Sequence, residues 1–106
     1  MVQQAVVTLS PQGRLDAAKA PEFDADLQRI VAAGQRQIVV DLAGTRYISS
    51  NGLRTLLAAA RAAKKQGGAV KLCCLSPRLV EIFEMAGFDR VFEIYASRAE
   101  AEKSFS

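Results

Sequence analysis

Histidine is absent from this chain of 106 residues, and so is tryptophan. Histidine is the side chain that most often acts as a general base, so its absence removes the commonest route to acid–base catalysis. It also excludes serine–histidine and cysteine–histidine nucleophiles. The sequence has neither the Walker spacing nor a Gly-x-Gly-x-x-Gly fingerprint, which mark phosphate and dinucleotide sites. We therefore predict a protein that is not an enzyme and that uses no cofactor.

Cysteine is also scarce, because the only two cysteines are the adjacent pair Cys73 and Cys74. Neighbouring residues of a strand point to opposite faces, so a bond between these two sulfurs is not expected. A metal site would need further ligands close by, and histidine cannot supply them. We predict that both cysteines are small, reduced residues of the core and that no metal is bound.

Long apolar runs are missing, and none reaches the length needed to cross a membrane. Residues 1–4 do not combine a charged region with a following apolar one, so no signal peptide is predicted. The net charge is only +3, and the lysines and arginines are scattered along the chain. This pattern is typical of a solvated surface. We expect a cytoplasmic protein with no membrane insertion and no nucleic-acid partner.

The chain does have enough apolar residues, half of the total, to build one core. Its length predicts a single domain over residues 1–106. Apolar, β-branched runs alternate with segments of helical periodicity, which indicates an α/β fold with a mostly parallel central sheet of about four strands and about four helices. The predicted strands are residues 6–9, 38–42, 70–75 and 91–95, and the predicted helices begin near Pro21, Ser49 to Asn51, Ser76 and Ser97.

The segment over residues 41–53 carries the functional information. It follows a strand with a short loop, residues 43–46, and then places Ser49, Ser50, Asn51 and Gly52 where a helix begins. Backbone N–H groups at a helix start lack internal partners, and the helix dipole favours anions there. The alternative is ordinary helix capping, because serine and asparagine are among the preferred N-caps. The spacing alone favours capping.

This segment resembles the signature of STAS-domain anti-sigma-factor antagonists, in which an acid closes a strand and Asp-Ser-Ser-Gly-Leu follows a short loop. Two further segments, residues 13–16 and 75–92, are similar to other parts of that family. The sequence departs from the family in having Ser49 in place of the aspartate and Asn51 in place of the second serine. The N-terminal strand region is shorter than in many members, since little chain precedes Val6.

The resemblance implies a partner switch. The unmodified antagonist binds an anti-sigma factor that is also a serine kinase with an ATP-binding domain, and the sigma factor is released. The kinase then phosphorylates the antagonist, which dissociates, and a serine phosphatase resets the system. The modified position corresponds to Ser50, with Ser49 as the alternative acceptor. A second possibility is a STAS subunit of a lipid or anion transporter that needs no phosphorylation.

If the STAS fold is correct, we expect a cluster of partner-binding residues at one end of the sheet. A loop or capping role is the alternative for the two aspartates, and plain exposure is the alternative for the arginine. A further expectation concerns residues 6–9: an exposed edge strand invites pairing with another chain, which predicts a weak homodimer. The predicted partner-binding residues are Asp16, Asp41, Ser49, Ser50, Asn51, Gly52 and Arg54.

Overall fold

The structure is a computed structural model that describes residues 5–105. Strands and helices alternate along most of this range, as the sequence predicts. A 3-10 helix over Phe88–Arg90 lies between the third helix and the last strand. The elements are β1 Val6–Leu9, β2 Gly13–Leu15, α1 Ala20–Ala32, β3 Gln37–Asp41, β4 Thr45–Ile48, α2 Ser50–Lys65, β5 Ala69–Cys73, α3 Pro77–Met85, β6 Ile94–Tyr95 and α4 Arg98–Lys103.

Four strands form the central sheet in the order β1-β3-β5-β6, and each neighbouring pair is parallel. This confirms the predicted sheet. Ile38, Val39 and Val40 of β3 are fully buried, as expected for a central strand that is covered on both faces. β1 lies at one edge of the sheet.

The two faces of the sheet are covered unequally. Ile38 and Val40 belong to the main core, which is built with side chains of α1, α2 and α3. Val39 points the other way and packs with Ala101 of α4 in a smaller cluster. None of the helices between residues 5 and 105 combines the length and apolar character required to cross a membrane.

Strands β2 and β4 form a separate parallel pair, the β2–β4 ribbon. The prediction of a loop at residues 43–46 was therefore wrong for Thr45 and Arg46. Thr45 is buried, and its hydroxyl donates to the carbonyl of Pro11 at 2.8 Å. The pairing partner lies some thirty residues away, so the local sequence could not reveal it.

The last strand is also shorter than predicted. Val91 and Phe92 lie outside β6 and follow the 3-10 helix. The ring of Phe92 is buried against Phe83 and Phe88, with centroid distances of 6.5 and 6.0 Å. Burial of this ring among two others contributes to holding the chain in the turn ahead of β6.

Candidate functional site

Ser49 caps α2. Its backbone is extended, and its hydroxyl accepts a hydrogen bond from the N–H of Gly52 at 3.3 Å. The N–H of Ser49 donates to the carbonyl of Leu15 at 2.8 Å. The start of α2 is therefore fixed to the end of the β2–β4 ribbon, and the Ser49 hydroxyl is committed to the cap.

Ser50 is the first residue of α2, and its side chain is exposed. Its hydroxyl makes no hydrogen bond to any other residue in the range that the structure describes. The first turn of α2 contains no acidic residue, so the positive end of the helix dipole is not offset there. This position presents an accessible hydroxyl at a place that tolerates added negative charge.

Gly52 lets α2 approach the ribbon closely. A β-carbon at this position would lie 2.7 Å from Cγ1 of Ile48 and 3.1 Å from the carbonyl oxygen of Leu15. Neither neighbour can move aside easily, because the Leu15 atom belongs to the backbone and the Ile48 side chain is almost fully buried. Glycine is required here by the space available, and the first turn of α2 is positioned by that contact.

A groove of about 360 Å³ lies between the starts of α1 and α2. Asn51 and Arg54 contribute to it from α2, and both are exposed. The α1 side of the groove was not predicted from the sequence. Small residues at the start of α1 were the available signal, because they leave space between two packed helices. The residues that line it from the α1 side are Ala17, Ala20, Pro21 and Asp24.

Asp16 lies beside this surface, directly after β2. Its carboxylate accepts hydrogen bonds from the N–H groups of Ala18 and Lys19, both at 3.2 Å. Both donors lie in the turn before α1, so Asp16 fits the loop role that was one of its alternative interpretations. Nearby, the guanidinium of Arg14 stacks 4.4 Å from the ring centroid of Tyr47 and lies 4.0 Å from the Asp16 carboxylate.

Asp41 lies apart from the other predicted residues. It ends β3 before β4 begins, whereas Ser49 follows β4, so the two occupy opposite ends of that strand. Its carboxylate accepts from the N–H of Ala43 at 2.9 Å and lies 4.0 Å from the guanidinium of Arg98. The structure thus brings Asp16 together with the residues of α2 and leaves Asp41 elsewhere.

The expectation that Cys73 and Cys74 point to opposite faces was wrong. Their sulfurs lie 3.2 Å apart, because Cys74 leaves the strand with a left-handed backbone, φ 67°. Cys73 is buried, whereas Cys74 is only half-buried. Together with the carboxylate of Asp41 they form one group of potential metal ligands within residues 5–105, and their ligand atoms all lie within 4.8 Å of one another.

Residues 1–101 match the STAS domain family. BtrV of Bordetella bronchiseptica, which is named as an anti-sigma factor antagonist, is 38% identical over 94 residues, covering 89% of this chain and 81% of BtrV. The anti-sigma-B factor antagonist of Bacillus subtilis is 31% identical over 84 residues, covering 79% of this chain and 76% of that protein. Both similarities extend over most of the domain.

Solved structures share the fold at lower identity. A protein of Thermotoga maritima, also named as an anti-sigma factor antagonist, has a TM-score of 0.89 at 22% identity and covers 94% of this chain and 86% of its own. Bacillus SpoIIAA in its phosphorylated form has a TM-score of 0.76 at 20% identity, and the match covers 100% of this chain and 96% of SpoIIAA. The STAS domain of a Vibrio cholerae SulP transporter has a TM-score of 0.73 at 16% identity, and the match covers 98% of this chain and 83% of that domain.

These three likenesses establish the fold alone, since antagonists and a transporter domain share it. The sequence relatives decide the assignment, because both are antagonists and both are more than 30% identical. This chain belongs to the STAS domain family and, within it, to the anti-sigma factor antagonists, which are regulatory proteins rather than enzymes.

Proposed function

We propose that this protein is the phosphorylatable component of a cytoplasmic partner switch. The unphosphorylated form binds an anti-sigma factor that is also a serine kinase with an ATP-binding domain. That kinase phosphorylates Ser50, the complex dissociates, and a serine phosphatase restores the binding form. The observation that carries the proposal is the different state of two adjacent hydroxyls, one used as a helix cap and the other exposed.

Accessibility favours Ser50 over Ser49 as the phosphate acceptor. A kinase must reach the acceptor oxygen and hold it in line with the transferred phosphoryl group. The Ser50 side chain is exposed, whereas Ser49 is half-buried and accepts the N–H of Gly52. Modification of Ser49 would therefore also disrupt the cap of α2. The proposed kinase supplies the base and the metal-bound ATP, because the antagonist provides neither.

The proposed binding surface is centred on the first turn of α2. Ser50, Asn51 and Arg54 are exposed along it, and the groove toward α1 offers a concave edge. Asp16 adds a carboxylate at the end of the β2–β4 ribbon. Gly52 allows the first turn of α2 to lie close to that ribbon. Asp41 belongs to the proposal only as a peripheral contact, since it lies at the far end of β4.

Phosphorylation at Ser50 should leave the fold intact and weaken the complex. A phosphate adds about −1.5 to −2 charges at neutral pH. Negative charge at a helix start is favourable by about 0.3–1 kcal/mol. Arg54 follows Ser50 by four residues, on the same face of α2, and can pair with the phosphate. In the complex, the same oxygens would be desolvated against a surface that fits a neutral hydroxyl, and that cost opposes binding.

A weak homodimer through β1 is also part of the proposal. β1 is an edge strand of the central sheet, and it is only half-buried. Its outer backbone groups can pair with another chain. Sedimentation at high concentration should reveal a small dimeric fraction, and monomer alone at every concentration would remove this part of the proposal.

The acceptor can be tested directly. The full chain is incubated with the cognate kinase and ATP, and mass spectrometry of the digested protein locates the phosphate. We expect it on Ser50 in the wild type and in Ser49→Ala, and we expect Ser50→Ala to bind the kinase without being modified. A phosphate on Ser49 would show that the acceptor is Ser49 rather than Ser50. If neither serine is modified and Ser50→Asp binds normally, the switch is refuted and the transporter-subunit function replaces it.

A further inference from the structure

The geometry of Cys73 and Cys74 is unusual for adjacent residues. Among residues 5–105, Cys74 is the only one other than glycine with a positive φ, 67°. The left-handed region is strained for such a residue and persists only where the surroundings hold it. Here the N–H of Cys74 donates to Tyr95 at 3.1 Å, and the carbonyl of Cys73 accepts from Leu42 at 3.0 Å. The result is a sulfur–sulfur distance of 3.2 Å.

We propose that Cys73 and Cys74 form a redox modification site, a dithiol that a hydroperoxide oxidises to a disulfide between neighbouring residues. In the first step, the Cys74 thiol gives up its proton to solvent, the thiolate attacks the peroxide oxygen, the O–O bond breaks, and sulfenic acid and hydroxide form; the hydroxide takes up the released proton and becomes the first water. In the second, Cys73 sulfur attacks the Cys74 sulfur and displaces the oxygen as water. One peroxide is reduced to two waters while two thiols are oxidised to one disulfide.

Access assigns the order of the two cysteines. Cys74 is half-buried at the end of β5, so a small peroxide can reach its sulfur, whereas Cys73 is buried. Burial, together with the contact to Cys74 and the charge of Asp41, raises the pKa of the Cys73 thiol to about 12. Because Cys73 is the less accessible of the two sulfurs, it acts second. The carboxylate of Asp41 lies within 4.8 Å of both sulfurs, and the proton that Cys73 releases leaves with the displaced oxygen as water.

A disulfide suits this site better than a metal ion. The two sulfurs and the Asp41 carboxylate are three ligands, and no fourth ligand-bearing side chain joins them in the described part of the chain. The guanidinium of Arg98, 4.0 Å from Asp41, competes with any cation. Adjacent α-carbons are closer together than those of ordinary disulfides, about 4.4–6.8 Å apart. Strained disulfides are readily reduced, which is typical of regulatory rather than structural bonds.

The first test uses the full reduced chain and one equivalent of hydrogen peroxide. Remaining thiols are trapped with N-ethylmaleimide under denaturing conditions, and the intact mass is measured. We expect a monomer that has lost two hydrogen atoms, takes up no maleimide and is restored by dithiothreitol. Addition of oxygen to Cys74, two maleimide adducts or a disulfide-linked dimer would each overturn the proposal. Failure here leaves the proposed role of Ser50 unaffected, because the two sites are independent.

Two variants and an equilibrium measurement test whether the folded structure favours the disulfide, beyond the reactivity that any two neighbouring thiols have. Cys73→Ala should accumulate a sulfenic acid on Cys74 that dimedone traps, and Cys74→Ala should leave the buried Cys73 unmodified. In glutathione buffers, the ratio of oxidised to reduced chain should be at least about tenfold higher for the native protein than for the urea-unfolded one, because the fold already holds the sulfurs together. An equal ratio in the two states would refute a site built by the fold, even if the variants are unstable.

Discussion

Three helices in the described range, α2, α3 and α4, begin with a serine cap, and the starts of α2 and α3 are alike in geometry. Ser49 precedes α2 and Ser76 precedes α3, each with an extended backbone. Each hydroxyl accepts the N–H of the third residue that follows, at 3.3 Å from Gly52 and 3.2 Å from Leu79. The caps are therefore equivalent in geometry and are expected to contribute equally to stability.

The two starts differ in the residues that follow the cap. α2 continues with the exposed Ser50, and α3 continues with Pro77, which has no hydroxyl to modify. At the third position α2 has a glycine against the ribbon, whereas α3 has a fully buried leucine. Both helices start with a serine cap, and the residue after the cap distinguishes the proposed regulatory start, that of α2, from the structural start, that of α3.

The largest effect is expected at the structural start. Leu79→Ala removes a fully buried side chain from the main core and should lower the free energy of unfolding by about 2–5 kcal/mol. Urea denaturation followed by circular dichroism gives this value. Affinity for the kinase, measured where the variant is folded, should match that of the wild type. Lost affinity with unchanged stability would show that α3 belongs to the binding surface.

At the proposed regulatory start, Gly52→Ala should destabilise by about 1–3 kcal/mol, because its β-carbon would overlap the side chain of Ile48 at 2.7 Å. The intrinsic preference of helices for alanine over glycine acts in the opposite direction, by about 0.8–1.0 kcal/mol. The sign of the measured change therefore decides whether the close contact exists. A stabilised variant would mean that α2 does not pack against the ribbon as described.

A negative charge introduced at the start of α2 should weaken binding of the kinase, whereas the same charge at the start of α3 should not. Ser50→Asp is expected to weaken the complex by at least about 1.4 kcal/mol, a tenfold loss of affinity. Pro77→Asp is the matched control, because it places the same charge at the first position of α3, where the side chain is also exposed. Both variants should melt within a few degrees of the wild type. Titration calorimetry with the kinase compares them, and equal losses of affinity would contradict a site centred on α2.

Local chemistry accounts for what the sequence predicted and for what it missed. Ser76 was recognisable as a cap because it directly precedes Pro77, whereas for α2 the sequence left Ser49, Ser50 and Asn51 open as the start. Thr45 was assigned to a loop because its strand partner is Gly13, far away in the chain. The proximity of the cysteine sulfurs depends on a left-handed residue held by Leu42 and Tyr95. Such an exception to strand alternation has no signature in the sequence around Cys73 and Cys74.

The smallest expected effect is the cost of removing either cap. Ser49→Ala and Ser76→Ala should each destabilise by about 1 kcal/mol, because each leaves one N–H of a first turn without its partner. The functional outcomes should differ. Ser76→Ala should be phosphorylated like the wild type, and Ser49→Ala should still be phosphorylated on Ser50, more slowly because the first turn of α2 frays. Phosphate incorporation against time, with the site located by mass spectrometry, makes the comparison. If Ser49→Ala loses only about 1 kcal/mol yet takes up no phosphate, the acceptor is Ser49, and the cap of α2 is itself the switch.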